Sequence, residues 1–490
     1  MTATAISVIF QLVKKGFQIS GRKNKIMAKV TDMTKGKPAV LLLSFAFPLI
    51  LGNLGQQLYM IVDAIIVGRG VGVKALAAVG ATDWTYWLIL WVIQALTQGF
   101  ATRISHHFGE KNIAKLRKSI TMSVFLCVGI GILLTVLALL LVIPMLHVLK
   151  TPTDIFDGAS SYLFTMFAGT LIVMAYNMAS AILRAFGDGK TPLIAMGIAA
   201  SANIVLDLLF VLVFGLGIVG AAIATLIAQL ISFLYCLTII RKIDFIKTQR
   251  NDWQWDSRIV YELCAMGLPL ALQHVLIAIG GMILQSTINS QGFVFVAGFT
   301  ATNKIYGLLE SSAFALNYAT TTYISQNYGA RLYDRIHKGM KSATLIGVIM
   351  SFCIATLMIV FGRNILQLFI DSSDSNATDV LAIAYRYLAT MSTLLFSLYL
   401  LHIYRSALQG LGNAFCPMFS GIIEFVMRVV AALIFTNIWG SAVIFFAEIL
   451  AWVGAAVFVI AAYLVKAKNI PRSQDTKGFS TKTIYVECNR

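Results

Sequence analysis

Charge is scarce in this chain. Only 12% of its 490 residues are Asp, Glu, Lys or Arg, about half the share found in soluble globular proteins. So little polar surface cannot cover a soluble core of this size, which excludes a soluble enzyme and a nucleic-acid binder. Cysteine gives no framework either. The six cysteines, Cys127, Cys236, Cys264, Cys353, Cys416 and Cys488, stand singly, without a CxxC pair or metal-ligand spacing, so neither a disulfide scaffold nor a cysteine metal site is expected. No Walker-type phosphate loop occurs, so direct drive by ATP has no support and no cofactor is called for. The short apolar run 3–13 lacks a preceding basic region and a small-residue cleavage pattern, which speaks against a secretory signal peptide. Met27 is an equally good start.

What the chain has instead is apolar residues, 58% of the total, with a mean hydropathy of +0.82. At about 20–25 residues per membrane crossing, that supports about a dozen helices. Apolar runs read against flanking charge place twelve spans near 39–66, 82–105, 120–146, 161–186, 192–214, 218–240, 259–289, 297–324, 343–370, 385–410, 416–438 and 441–465. Long runs without period-two alternation predict helices rather than barrel strands. The expected fold is an all-α integral membrane protein of twelve transmembrane helices, acting as a monomer.

The net charge of +17 is first a topology signal. Basic residues gather in the N-terminal tail (Lys14, Lys15, Arg22, Lys23, Lys25, Lys29, Lys35, Lys37) and after span 2 (Lys111, Lys115, Arg117, Lys118). They gather again after span 6 (Lys247, Arg250, Arg258) and after span 8 (Arg331, Arg335, Lys338, Lys341). The alternate loops are poor in positive charge, and one is acidic around Asp371, Asp374 and Asp379. The positive-inside bias predicts both termini in the cytoplasm of a cell whose plasma membrane the chain spans. Anionic membrane lipids are the expected weak partners of this charge.

An internal duplication organises the chain. Tyr162-Leu163, Leu183-Arg184-Ala185-Phe186-Gly187-Asp188 and Pro192 return, all at one constant offset, as Tyr387-Leu388, Leu408-Gln409-Gly410-Leu411-Gly412-Asn413 and Pro417. Ala81-Thr82-Asp83 and Phe108-Gly109 return at a slightly shorter constant offset as Ala301-Thr302-Asn303 and Tyr328-Gly329, and Pro48 is answered by Pro269. The expected organisation is a tail (1–38), an N-lobe (39–240), a linker (241–258), a C-lobe (259–465) and a second tail (466–490). Six spans per half give both halves one orientation, so the repeat is parallel about an axis normal to the membrane. Two pseudo-symmetric six-helix lobes with a cleft between them suit a rocking transporter.

The residues Phe47-Pro48-Leu49-Ile50, Gln57-Leu58-Tyr59, Val62-Asp63-Ala64, Val67-Gly68-Arg69 and Ala75-Leu76-Ala77-Ala78-Val79-Gly80 resemble the first helix and loop of the MATE multidrug and toxic compound extrusion transporters, of the MOP flippase superfamily. Arg184-Ala185-Phe186-Gly187-Asp188-Gly189-Lys190-Thr191-Pro192 and Asn203-Ile204-Val205-Leu206-Asp207 are similar to further family hallmarks. The resemblance covers about residues 39–465. It implies export of mostly cationic amphiphiles, driven by inward flow of H+ or Na+.

Ionisable residues at membrane depth cost about 2.5–3.5 kcal/mol on insertion scales, so each needs a partner, water or a neutral form. Asp63 lies near the end of span 1, beyond Pro48, whose missing N–H lets the helix bend. Asn203 and Asp207 are four apart on span 5 and share a face, with Asn177 and Thr225 as neutral groups on spans 4 and 6. Two carboxylates with amide and hydroxyl neighbours can hold one proton or one dehydrated sodium ion. The family resemblance implies the same set as an ion-coupling site, Asp63, Asp207, Asn203, Asn177 and Thr225, with Tyr162 added. It implies that Na+, if bound, sits at Asp63, Asp207 and Asn203. Members that couple sodium through the C-terminal lobe carry acids on helices 7 and 10. Here span 7 offers Gln273, His274 and Gln285, and span 10 has no acid between Tyr387 and Gln409.

Elsewhere, Glu310 on span 8, with Asp83, Trp87 and Trp91 on span 2, are expected at a substrate cleft for small organic cations; a bond to a neighbouring helix is the equal alternative for Glu310. An interfacial aromatic belt is the alternative for the tryptophans, with Trp84 and Tyr86. Pro48 and Pro269 are the expected hinges. Glu424 and Arg428 are i,i+4 and neutralise one another, Glu448 is ambiguous, and His106-His107 read as solvated surface. His274 and His402 are not singled out, and Met60 and Met282 read as packing. The expected function is a secondary antiporter working by alternating access. A lipid-linked oligosaccharide flippase is the alternative, opposed by only Arg405 and Arg428 lying deep within spans. A non-transporting membrane receptor is a third reading, for which a duplicated six-span unit would have no purpose.

Overall fold

A computed structural model describes residues 30–368, 370 and 377–468. The apolar run 3–13, Met27, Asp371, Asp374 and Cys488 lie outside the described residues. Among the described residues the chain forms twelve helical spans. The first six are α1 Pro38–Gly70, α2 Val73–Gly109, α3 Ile113–Val148, α4 in two arms (Thr153–Ala168, Thr170–Ala185), α5 Lys190–Asp207 and α6 Gly217–Ile240. After the linker come α7 Ser257–Asn289, α8 Phe293–Gly329, α9 Tyr333–Leu366, α10 in two arms (Ala377–Thr393, Leu395–Gly410), α11 Phe415–Val429 and α12 Ile444–Lys468. At 1.5 Å per residue the 33–37-residue helices α1, α2, α7 and α8 are about 50–55 Å long, so their ends project beyond a hydrocarbon core about 30 Å thick.

Local sequence fixes the ends. Pro38 takes the first turn of α1, where its missing N–H has no cost. Asn112 caps α3 by accepting from Lys115 N, and Asp256 caps α7 by accepting from the amides of Arg258 and Ile259.

The duplication is written into the backbone. The arms of α4 meet at 50° and those of α10 at 49°, at Gly169 and at its counterpart in the second half, Leu394. Both α5 and α11 widen into a π-helical turn, Leu208–Val213 and Val430–Phe435. Such turns are rare and are frequently found at functional sites. Lys111 and its counterpart Arg331 both adopt positive φ, 56° and 58°, in the turns after α2 and α8.

Each lobe's first helix lends part of itself to the other lobe. Leu42, Phe45, Ala46 and Leu49 of α1 belong to the core built by α8, α10 and α12. Reciprocally, Ile259, Leu263, Met266, Leu270 and Ala271 of α7 belong to the core of α2, α4 and α6. Pro48 and Pro269 lie where these helices cross over, and both are buried.

Candidate functional site

The lobes are held together at the end where α2 runs into α3 and α8 into α9. A Cβ added at Gly109 would lie 2.1 Å from Gln326 O, and one at Gly329 would lie 2.1 Å from His106 O. His106 Nε2 meets Gly410 O at 2.6 Å, Gln409 donates to Thr102, Gln326 donates to Ala185 O, and the Arg184 guanidinium lies 4.6 Å from the Tyr318 ring centroid. His106 and His107 are therefore not solvated surface. Each is 4% exposed, because α8 and α10 close over the last turn of α2. The segment before α1 also spans the seam. Thr31 N donates to Phe186 O, while fully buried Met33 donates to Gln326 and accepts from Asn327 and Arg335.

Away from this end, α1 and α5 bring two acids together. The carboxyl groups of Asp63 and Asp207 lie within hydrogen-bond reach of each other, with Asp207 fully buried and Asp63 half-buried. Asp63 Oδ1, both Asp207 oxygens and Asn203 Oδ1 are buried without an N–H or hydroxyl donor among the described residues. Asn203, one turn before Asp207, is buried and donates to Thr225 Oγ1 at 3.3 Å. Asn177 spends its amide on Val173 O of its own helix (2.8 Å), so its hydrogen bond belongs to α4 and not to the acids. Tyr162 is half-buried within electrostatic reach of Asp63. Sequence reasoning missed two neighbours: Tyr59, one turn before Asp63, and Tyr86, hydrogen-bonded to Gln229. The i,i+4 spacing of Tyr59 and Asp63 was the available signal.

This donor set is all oxygen. It suits a proton held between the carboxyls or a hard monovalent cation, and it suits no soft metal. Among the described residues no three His, Cys, Asp or Glu side chains cluster as metal ligands.

The expected cleft residues fall in separate contacts. Asp83 is exposed and faces Lys304 of α8 electrostatically. Trp87 and Trp91 are half-buried with ring centroids 6.2 Å apart, and Trp84 packs on Gly281 of α7. Glu310 comes within 4.0 Å of His402. Asn53 of α1 donates to Ser311 O of α8.

The C-lobe carries a buried charge ladder that sequence reasoning saw only in part. Arg405 pairs with Glu424, Arg428 lies 3.4 Å from Glu424, and Arg428 reaches Glu448 at 2.8 Å. Ser420 accepts from Arg405 Nε, and the Gln273 amide lies 2.9 Å from the same atom, its oxygen facing the guanidinium. The pair expected on α11 is thus the middle of a four-residue chain across α10, α11 and α12. Both arginines are committed to glutamates.

Residues 48–209 and 269–434 match the MatE family, one stretch in each half. The chain is 32% identical over 352 residues to the probable multidrug resistance protein YpnP of Bacillus subtilis, covering 71% of this chain and 78% of that one. It is 23% identical over 398 residues to the probable multidrug resistance protein NorM of Thermotoga maritima, 79% and 82% of the two chains. Its fold matches that of a MOP superfamily transporter from Pyrococcus furiosus with a TM-score of 0.85, at 22% identity over 92% of this chain and 100% of that one. A crystal structure of a MATE in the bent conformation matches at 0.83, with the same identity and coverage. The chain belongs to the MatE family: it is a multi-pass membrane transporter of the multidrug efflux type, and not an enzyme.

Proposed function

We propose that this transporter is a secondary antiporter, exporting cationic or amphiphilic small molecules in exchange for H+ or Na+ through Asp63 and Asp207. The observation that carries the reading is the contact of these two carboxyl groups, three of whose four oxygens are buried without a donor among the described residues. Two carboxylates at that separation need a proton or a cation between them. Loading the ion changes the net charge of the α1–α5 contact, and Asn203, held by Thr225 on α6, carries the change to a third helix. A membrane potential supplies about 2.3 kcal/mol per charge per 100 mV.

The lobes, taken as 39–240 and 259–465 with linker 241–258, rock about the seam. Pro48 and Pro269 serve as hinges, since each lies where α1 or α7 passes from one lobe's core to the other's. With both termini in the cytoplasm of the plasma membrane, the end sealed by Gly109 and Gly329 is the cytoplasmic one. Glu310, Asp83, Trp87 and Trp91 line the path of the organic cation along the seam.

A flippase for anionic lipid-linked sugars is the less favoured reading. The Pyrococcus furiosus relative is described as having a binding pocket of reverse polarity. Here the two deep arginines are already neutralised by Glu424 and Glu448.

Ethidium efflux from cells carrying the wild type, Asp63→Asn or Asp207→Asn, at varied pH and sodium, tests the proposal. Loss of efflux in both variants is expected, and the gradient that drives the wild type identifies the ion. Full activity in both variants would remove the N-lobe site.

A further inference from the structure

Glu310 is the odd charge of the C-lobe. The ladder holds two cations, Arg405 and Arg428, against two anions, Glu424 and Glu448. Glu310 on α8 lies outside that balance, its side chain only 24% exposed, with His402 Nε2 of α10 at 4.0 Å from Oε1. His402 is 7% exposed in its side chain, and its Nδ1 is buried without a hydrogen-bond partner. An imidazole and a carboxylate at 4.0 Å, both shielded from water, attract one another as an ion pair only when the imidazole carries an extra proton.

We propose that Glu310 and His402 form a second protonation site, on α8 and α10 of the C-lobe, distinct from Asp63 and Asp207. The site takes one proton, carried either by the Glu310 carboxyl or by Nε2 of His402, which then faces an ionised Glu310 at ion-pair distance. Several groups face it. Tyr306, one turn earlier on α8, hydrogen-bonds Glu310, and Tyr399 of α10 lies near it. Arg405 of α10 is the cationic neighbour of His402, and the His274 imidazole of α7 lies on the same side. Glu424 and Arg428 of α11 and Glu448 of α12 act on Glu310 from the ladder. His274 is turned away, its Nδ1 on Leu270 O at 2.9 Å. Phe314 closes the site with its ring edge to His402 at 4.9 Å between centroids.

Proton binding here acts on the lobe interface. When Glu310 is ionised and His402 neutral, the C-lobe interior carries one net negative charge beside the α1–α8 seam, where Asn53 bonds Ser311 O. Adding the proton cancels that charge. An organic cation passing along the seam competes for the same charge, so binding of cation and of proton would oppose one another. This last step rests on the antiport reading, whereas the proton site does not.

The test is an infrared pH titration of the purified, reconstituted protein, following the C=O stretch of protonated carboxyl groups. Glu310→Gln is expected to remove one component that Glu310→Asp retains. His402→Asn, which keeps the acid, is expected to move the midpoint of that component by at least tenfold in proton activity. A Glu310→Gln titration superposing on the wild type, or an unmoved midpoint in His402→Asn, overturns the proposal. If Glu310→Gln does not fold, the His402→Asn midpoint decides. Asp63→Asn should leave this component intact. Retention of every component in Asp63→Asn, with loss of one in Glu310→Gln, would sink the N-lobe reading and leave this site standing.

Discussion

Gly109 and Gly329 perform the same act on opposite lobes. Gly109 lets α2 rest on the carbonyl of Gln326, and Gly329, its counterpart in the duplication, lets α8 rest on the carbonyl of His106. Gln326 and His106 are themselves counterparts, each three positions before its glycine. The contact is self-complementary in the way a twofold interface is, here within one chain. No side chain fits at either position while the lobes are closed at this end.

Gly109→Ala is therefore expected to prevent the lobes from closing there. Drug efflux from cells should fall by at least tenfold at normal expression. Gly129, with nothing within 4 Å of an added Cβ, provides the matched control, and Gly129→Ala should transport as the wild type does. Equal activity of the two variants would show that the contact has no part in the cycle.

Asn203 and Asn177 should separate. Asn203→Ala removes the bridge to Thr225 and exposes Asp207 to one fewer polar neighbour. The net worth of such a bond is about 1 kcal/mol, so the half-saturating concentration of the coupling ion should rise about fivefold. Asn177→Ala should leave that concentration unchanged, because its amide serves Val173 O.

Breaking the C-lobe ladder should cost stability before it costs transport chemistry. Glu424→Gln leaves Arg405 and Arg428 buried and short of countercharge, a penalty of about 3–5 kcal/mol. Thermal unfolding in detergent should show a clear drop in Tm. An unchanged Tm would mean the arginines find other partners.

The linker offers a pH prediction outside the membrane. Lys118, 3.0 Å away, and the amides of Ile259 and Arg258 hold Asp256 below the usual carboxylate range. A folded-state value below the unfolded one gives stability that is present above about pH 4 and disappears as pH falls through the lower, folded value. Asp256→Ala should lower stability at pH 7 by about 1 kcal/mol through the lost cap. Asp256→Asn, which keeps an accepting oxygen, should lose less and abolish the acid dependence. Identical acid melting curves for wild type and Asp256→Asn would contradict this.

The twelve spans were legible because apolar runs of about 20 or more residues report directly on the surrounding lipid. The duplication was legible from matched motifs, and the i,i+4 spacing of Asn203 and Asp207 placed both on one helix face. What escaped reading depends on more than one helix. The bends at Gly169 and Leu394 and the two π turns leave no sign in hydropathy, since the residues on either side are equally apolar. Glu448 looked ambiguous because its partner Arg428 is on another helix. His106 and His107 looked like surface because they end a helix among polar residues, and only the fold brings α8 and α10 over them. Nor did the lobe boundaries show that α1 and α7 begin in each other's cores.

The strap at Thr31 and Met33 orders how the protein can be assembled. Its first partner, Phe186 O, is made with the N-lobe, but Gln326 and Asn327 emerge from synthesis 293 and 294 residues after Met33. Until then the backbone amide and carbonyl of Met33 must wait for donors and acceptors that do not yet exist. Fastening of this end is thus a late event in biogenesis, and a nascent chain stopped before α8 holds its N-terminal segment half tied.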